Sequence, residues 1–406
     1  PVWPLPRKLL FRYCTVYFVL YLTASLGIIN SLWDILVTRT GKLLINKDYT
    51  ILVKPNGSGD TTYNYLILVS MTVLTLIICV GWSVSDKKRI NYQRLQYWLI
   101  VLLRYKLAVT LISYGMYKII KTQFPFPSLL RLDQAIGDMS PMGLAWTYMG
   151  FSSGYNLFTG LAEFTGGFLL FFRRTTLMGA LISITVLLNI VAMNLFYDIP
   201  VKLYSIHLLV MALLIALPDA KRLIDFFFLN KPVPADNHWH PAFHTKWKRV
   251  TFFSLKYLFI ALTLYEQTVF PLRYATQNKK HSPLYGIYEI KQVTGAKPGL
   301  TAPYQGFKSW SKIYLEQNFT MLAKKSGNEL DRFYTKVDTI KHMFSYWKSK
   351  TDSVHLHYDF PEKNILSLSG IVGTDSIQVQ LTRKDPREFL LISRGFHWIN
   401  ERPFNR

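Results

Sequence analysis

The chain has 406 residues, half of them hydrophobic and only 17% charged, whereas a soluble domain carries about 25% charged residues. The formal charge of +23 is scattered over short loops and one tail, with no basic helix and no aromatic-basic repeat, which argues against nucleic acid as a partner and for a topology signal beside anionic lipid. Cys14 and Cys79 both fall in apolar spans without metal spacing and read as reduced, inert thiols.

Arg7, Lys8 and Arg12 precede an apolar run over 13–33, long enough to cross a bilayer core of roughly 30 Å and lacking the cleavage site of a signal peptide. This predicts a cytoplasmic N-terminus. A polar loop containing Lys54, Asn56 and Asp60 lies outside, and a second span over 63–84 returns to the basic run Lys87–Arg89 inside. The stretch 90–123 is predicted to divide into an interfacial helix up to Leu103 and a crossing from Arg104 to Lys121, with Arg104 snorkelling to the inner headgroups. Pro125 and Pro127 end that helix, and the loop after them, with Asp133 and Asp138, lies outside.

Spans over 155–172, 176–196 and 201–217 follow, separated by Arg173-Arg174 and by Asp198-Ile-Pro200. Residues 223–229 read as an interfacial helix, and a seventh span over 252–272 carries the chain out again. From Pro283 the pattern becomes alternating. Strands are predicted over 285–293, 313–317, 319–324, 332–347, 354–358, 366–368, 377–381 and 389–393, with Gly373-Thr-Asp375 as a hairpin signal. The expected fold class is a polytopic α-helical membrane protein of about seven transmembrane helices with a C-terminal antiparallel β domain. Its parts are residues 1–103 (two helices, a periplasmic loop and an interfacial helix), 104–222 (a four-helix membrane bundle), 223–250 (a cytoplasmic loop), 251–272 (the seventh helix) and 283–406 (the periplasmic β domain). The setting this implies is a bacterial inner membrane, crossed several times, with the C-terminal domain in the periplasm.

An ionisable group at membrane depth costs roughly 2.5 to 3.5 kcal/mol on insertion scales, so it has a partner or a task. Glu163 lies mid-span, with Gly160 and Gly167 on the same helical face, where small residues admit a second helix. Lys118 is the nearest cation, with Tyr114 one turn away and Gly115 beside it. Two readings stay open: a structural clamp between helices, or a substrate, proton or quinone-headgroup site. His207 near the outer end of its span either relays protons or hydrogen-bonds a neighbouring helix. Asn189 and Asn194 point to different faces, so at most one shares the Glu163 site. Asp60, Asp138 and Asp198 come from three outer loops; they cap turns and helices, or converge on a cation or a basic partner segment. His238, His240 and His244 lack a completing ligand set, and no metal site is expected. No Ser-His-Asp order, phosphate loop, haem attachment or dinucleotide fingerprint is present.

Arg104, Tyr114-Gly115-Met-Tyr-Lys118, Gly160-Leu-Ala-Glu163-Phe-Thr-Gly166-Gly167 and the arginines opening the next span resemble the DoxX-like four-helix membrane domain. The longer chain, with its terminal Arg394-Gly-Phe-His-Trp-Ile-Asn400, looks like the large DoxX-type proteins of Bacteroidota. The resemblance implies a membrane subunit that touches quinone or a redox partner, with Glu163 and Lys118 as the matching site residues. The opening of the C-terminal domain around Tyr285-Gly-Ile-Tyr288 resembles the start of a lipocalin-like barrel, a fold that holds one small apolar ligand. The expectation is an accessory or scaffold subunit of an envelope or quinone-linked complex. The alternatives are a carrier for a small lipid or quinone-like molecule, or a redox subunit relying on a partner's cofactor. No cofactor is predicted in the chain itself, quinone being the one that the resemblance allows, and it is not expected to be an enzyme alone. The partners expected are the bilayer and other membrane or periplasmic subunits.

Overall fold

A computed structural model describes residues 2–25, 27, 30–51, 57–233, 239, 241, 245–277, 282–295, 306–325, 327, 329–349, 352–372 and 375–405. The chain divides into two compact units, one of Pro1–Gln123 with Gly154–Val269 and one of Phe124–Ser153 with Phe270–Arg406. His238, His240, His244 and the hairpin residues Gly373 and Thr374 lie outside the described residues.

The first unit is helical: α1 (Leu5–Ser25), α2 (Asn30–Leu44), α3 (Thr62–Ser85) and α4 (Gln93–Ile119) precede the second unit's α5 (Leu129–Asp133) and α6 (Pro141–Phe151) in the chain. Then come α7 (Ser153–Leu170), α8 (Thr176–Phe196), α9 (Lys202–Ala216), α10 (Ala220–Phe227) and α11 (Lys246–Gln277). Among the described residues four helical stretches are long and apolar enough to cross a membrane: Thr62–Ser85, Gln93–Ile119, Arg173–Phe196 and Lys202–Phe227. The apolar core of this unit runs through the chain from Trp3 on its first residues to Ile260 on α11, with Leu103, Leu107 and Leu111 of α4 and Met211 of α9 fully enclosed.

Local chemistry sets the helix ends. Thr61 and Asn64 form a reciprocal capping box at the start of α3, and Ser140 caps α6 with Pro141 in the first turn. The predicted first span over 13–33 is not one helix. It breaks after Ser25, where Gly27 takes φ +72°, a conformation glycine adopts without steric cost, and α2 begins at Asn30. The division predicted at Leu103/Arg104 is also absent, because α4 is continuous over 27 residues. Arg104 is buried instead of snorkelling: its Nε and Nη2 donate to the Leu170 carbonyl at 3.0 and 2.8 Å. A cation there answers the unpaired carbonyls and negative dipole at the end of α7.

The second unit is built on eight antiparallel strands: β1 (Gly286–Thr294), β2 (Trp310–Leu315), β3 (Thr320–Lys325), β4 (Leu330–Asp338), β5 (Met343–Trp347), β6 (Val354–Glu362), β7 (Ile365–Val372) and β8 (Asp375–Lys384). Each pairs with the next, and β1 pairs with β8, closing a barrel without free edges. Val354, Leu356 and Tyr358 turn inward while His355 and His357 turn outward, the period-2 pattern of a half-buried strand. The interior is filled by Tyr288, Trp310, Phe333, Phe344 and Tyr346 with aliphatic neighbours. Two expectations are corrected. Residues 332–347 are two strands, not one, parted by a turn in which His342 takes φ +53°. The strand predicted over 389–393 is a short helix, Leu390–Ser393, so the eight strands come from one split and one deletion.

Residues 124–153 are not a bare loop, because α5 covers the outside of the barrel. Leu129 packs on the outward-facing, register-paired Ile287 and Tyr314, and the Leu130 amide donates to Glu316 Oε1 at 3.0 Å. Asp133 accepts from Lys312 Nζ at 2.8 Å, Tyr314 hydroxyl at 2.9 Å and Lys384 Nζ at 3.0 Å, with its side chain only 7% exposed. Burial alone would raise this carboxyl, but the three donors outweigh it and hold Asp133 below the ordinary carboxylate value. Because its folded value is depressed, the stabilisation is present above the unfolded value of about 3.9 and is lost as pH falls through the lower folded value. Asp133→Asn should therefore lower the stability of this unit by about 2 kcal/mol at neutral pH. Denaturant unfolding of the full chain, followed by tryptophan fluorescence, should show that difference undiminished at pH 5 and shrinking only in strong acid.

Candidate functional site

Two polar assemblies lie within the helical unit. The first is the seam between α4 and α7. A Cβ added to Gly115 would come within 2.7 Å of the Gly160 carbonyl oxygen, one added to Gly160 within 2.8 Å of the Gly115 oxygen, and one added to Gly167 within 2.9 Å of the Ala108 oxygen. The two backbones therefore touch, as small residues permit. Lys118 Nζ donates to Glu163 Oε1 across this seam, with the side chains 8% and 1% exposed. Among the described residues the second carboxylate oxygen, Oε2, has no hydrogen-bond partner. Gly166 and Gly179 extend the close packing to α8, where their added Cβ atoms would meet Ser183 Oγ at 3.0 Å and the Gly166 oxygen at 3.1 Å. Gly179 was not singled out from the sequence, although its spacing from Ser183 carries the same small-residue pattern.

The second assembly is a cavity of about 410 Å³ bordered by α1, α3, α4 and α9. His207 supplies part of its wall. Its Nδ1 lies 2.6 Å from the Leu203 carbonyl, which can only accept, so Nδ1 carries the proton and a neutral ring leaves Nε2 as acceptor. The Tyr17 hydroxyl, 2.7 Å away, then donates to Nε2. Tyr17 and Tyr21 lie one turn apart on α1, and both rings are parallel to the imidazole within 8°, at 5.9 and 4.3 Å between centroids. The rest of the lining includes Tyr114, Tyr204, Met71 and Asn64. With both imidazole nitrogens engaged, the hydroxyls of Tyr21, Tyr114 and Tyr204, the last already hydrogen-bonded to Thr110, are among the polar groups that can address a ligand here, beside Ser58 and Asn64.

A loop roofs the cavity. Gly57, Ser58 and Gly59 line it, the Gly59 amide donates to the Pro200 carbonyl at 2.7 Å, and Asp60 accepts from the Lys202 and Leu203 amides at 2.8 and 3.0 Å. Asp60 thus caps α9 from a remote loop, satisfying its orphan amides and its positive dipole end. Lys202 adds its ammonium, 3.8 Å from Asp60 and 2.8 Å from Asp198.

A second cavity of about 330 Å³ is lined by Thr110, Ser113, Tyr117 and Gln267 together with the same Tyr114 and Tyr204. These two rings, 6.4 Å apart, therefore form a wall common to both spaces.

The structure thus sorts the sequence candidates. Glu163, Lys118, Gly115, Gly160 and Gly167 meet at the seam; His207 and Tyr114 line the cavity, away from any bond to Glu163. Asn189 is solvent- or lipid-facing on α8 and joins neither assembly, since residues 187 and 194 of that helix turn inward and 189 does not. Asp60 and Asp198 converge through Lys202, whereas Asp138 belongs to the barrel's unit. Among the described residues no group of three His, Cys, Asp or Glu is placed to hold a metal. Tyr17, Tyr21 and Tyr204 were missed because a tyrosine in an apolar span reads as core; the signal was the Tyr17/Tyr21 one-turn spacing opposite a single histidine.

No family model matches the chain, and no solved structure matches it. The uncharacterised protein YwoB of Bacillus subtilis (strain 168) is 33% identical to it over 121 residues, covering 30% of this chain and 77% of that protein.

Breaking a buried ion pair by removing one partner costs about 3 to 5 kcal/mol, whereas replacing both by apolar groups of similar size is often neutral. Lys118→Met or Glu163→Leu alone should each destabilise the helical unit on that scale, and the double variant should recover most of the loss. Thermal unfolding of the purified full chain in detergent checks this non-additivity; additive losses would identify two independent contributions.

Proposed function

This chain belongs to the family of the Bacillus subtilis protein YwoB, and we propose that it is a membrane-embedded binding protein or carrier for a small planar, largely apolar molecule bearing a hydrogen-bond acceptor. A quinone headgroup is one example of that chemistry. The observation that carries this reading is the stack of Tyr17, His207 and Tyr21 in the wall of the 410 Å³ cavity. Three parallel rings, fixed by hydrogen bonds at the imidazole, offer a flat aromatic surface that a planar guest extends. The tyrosine hydroxyls supply the few directed polar contacts that orient a ligand in an otherwise apolar pocket.

On this reading Glu163 and Lys118 clamp α4 to α7 and the ligand binds elsewhere. The wall shared by the two cavities acts as a gate: rotation of Tyr114 or Tyr204 joins them into one passage. The four apolar stretches are joined in the membrane by α1, α7 and α11, giving seven crossings with the barrel on the outer side of an inner membrane. The α4–α7 glycine seam with its buried ion pair supports the likeness to a DoxX-type bundle.

The test is solvent extraction of the chain purified from native membranes, with mass spectrometry of the extract. The wild type should yield a stoichiometric planar molecule, and His207→Leu and Tyr21→Ala should each lower its occupancy by roughly tenfold, the equivalent of about 1.4 kcal/mol, with unchanged circular dichroism. An empty wild type, or equal occupancy in all three proteins, contradicts the proposal.

A further inference from the structure

We propose that the C-terminal segment Arg387–Asn405 is a surface anchor that seats on an anionic phospholipid bilayer. The segment follows the last barrel strand, yet it is ordered by one residue. Arg394 donates from Nη2 to Asn400 Oδ1 at 2.5 Å, its Nη1 lies 3.1 Å from the His397 ring nitrogens, and its guanidinium sits 4.6 Å over the Phe404 ring. The Asn400 amide closes the turn on the His397 carbonyl at 3.2 Å, and Gly395 takes φ +63° to let the chain reverse. The result is a hook whose tip turns large apolar side chains outward: Phe396 is 76% exposed, Trp398 91% and Ile399 77%. Leu390 and Leu391 are also exposed on the preceding turn.

A patch of this kind on a folded chain marks an interaction surface, and its chemistry selects the occupant. Trp398 projects almost fully from the tip, which suits insertion between headgroups. Trp is enriched at membrane–water interfaces, and Trp, Phe and Leu form the buried face of segments that lie in that interface. Arg387 and Arg402 are both exposed, Arg387 beside the Asp385 carboxylate at 2.9 Å; together with Arg394 they outnumber the acidic Glu388 and Glu401 of the same segment, which leaves it a positive balance toward anionic headgroups. The same chain carries helices long and apolar enough to cross a membrane. The internal bonds of Arg394 fix the hook before contact, which lowers the ordering cost of binding. The inference is independent of the cavity and its ligand.

The test places the full chain in nanodiscs, with Cys14 and Cys79 changed to serine and a fluorophore attached at Glu401→Cys, and measures quenching by lipids carrying a headgroup nitroxide. A label at Ile340→Cys, on a barrel turn and 91% exposed, is the reference. In discs containing phosphatidylglycerol the 401 label should be quenched far more than the 340 label. Changing Arg387 and Arg402 to glutamine should lower the bound-to-free ratio by more than roughly tenfold, and Trp398→Ser with Ile399→Ser should abolish the excess. Equal quenching at both positions, or excess quenching at 401 that persists in purely phosphatidylcholine discs or in the Trp398/Ile399 variant, overturns the proposal. The 340 label also reports whether each variant keeps its barrel, because unfolding would change its own spectrum.

Discussion

The helical unit depends on one constraint: an ammonium and a carboxylate must be kept from water where two helix backbones touch. Lys118 and Glu163 are each too costly to bury alone, and the glycines around them remove the side chains that would hold α4 and α7 apart. Close approach makes the pair possible, and the pair fixes the register of the approach. Arg104 adds a second polar tie between the same helices by taking the Leu170 carbonyl, so α4 is bound to α7 at two levels. With that seam closed, Tyr114, one turn before Lys118 on α4, meets Tyr204 of α9 and lines the cavity beside the seam.

The barrel unit solves a different problem. A closed sheet has no edge to protect, but its outer face still has to be covered where apolar residues point outward. Ile287 and Tyr314 do so on adjacent strands, and α5 lies over them, held by Asp133 among two lysines and a tyrosine. A segment inserted between α4 and α7 in sequence thereby belongs to the barrel's unit in space.

Much of this was legible in the sequence. Helix α8 was read over its full length, the glycine face of α7 and its partner Lys118 were recognisable from i, i+3 and i+7 spacing, and alternation announced the barrel. Other features were not, for physical reasons. Arg104 looks like an interfacial cation because its acceptor, a helix-terminal carbonyl 66 positions away, has no side-chain signature. Asp133 looks like a turn residue because its three donors come from strands far along the chain. The split of residues 332–347 was hidden because His342 takes a positive φ usually filled by glycine or asparagine. The cavity was the least legible, since its tyrosines read individually as core and only their convergence on one imidazole makes a surface.

That convergence is the central claim, and it is tested most directly by an experimental density map of the chain in a lipid nanodisc, purified without added ligand. The account predicts density not belonging to protein between α1, α3, α4 and α9, flat against the Tyr21 ring and within hydrogen-bond distance of the Tyr114 or Tyr204 hydroxyl. Side chains collapsed into that space, with Tyr21 and His207 no longer parallel and no added density, would contradict it.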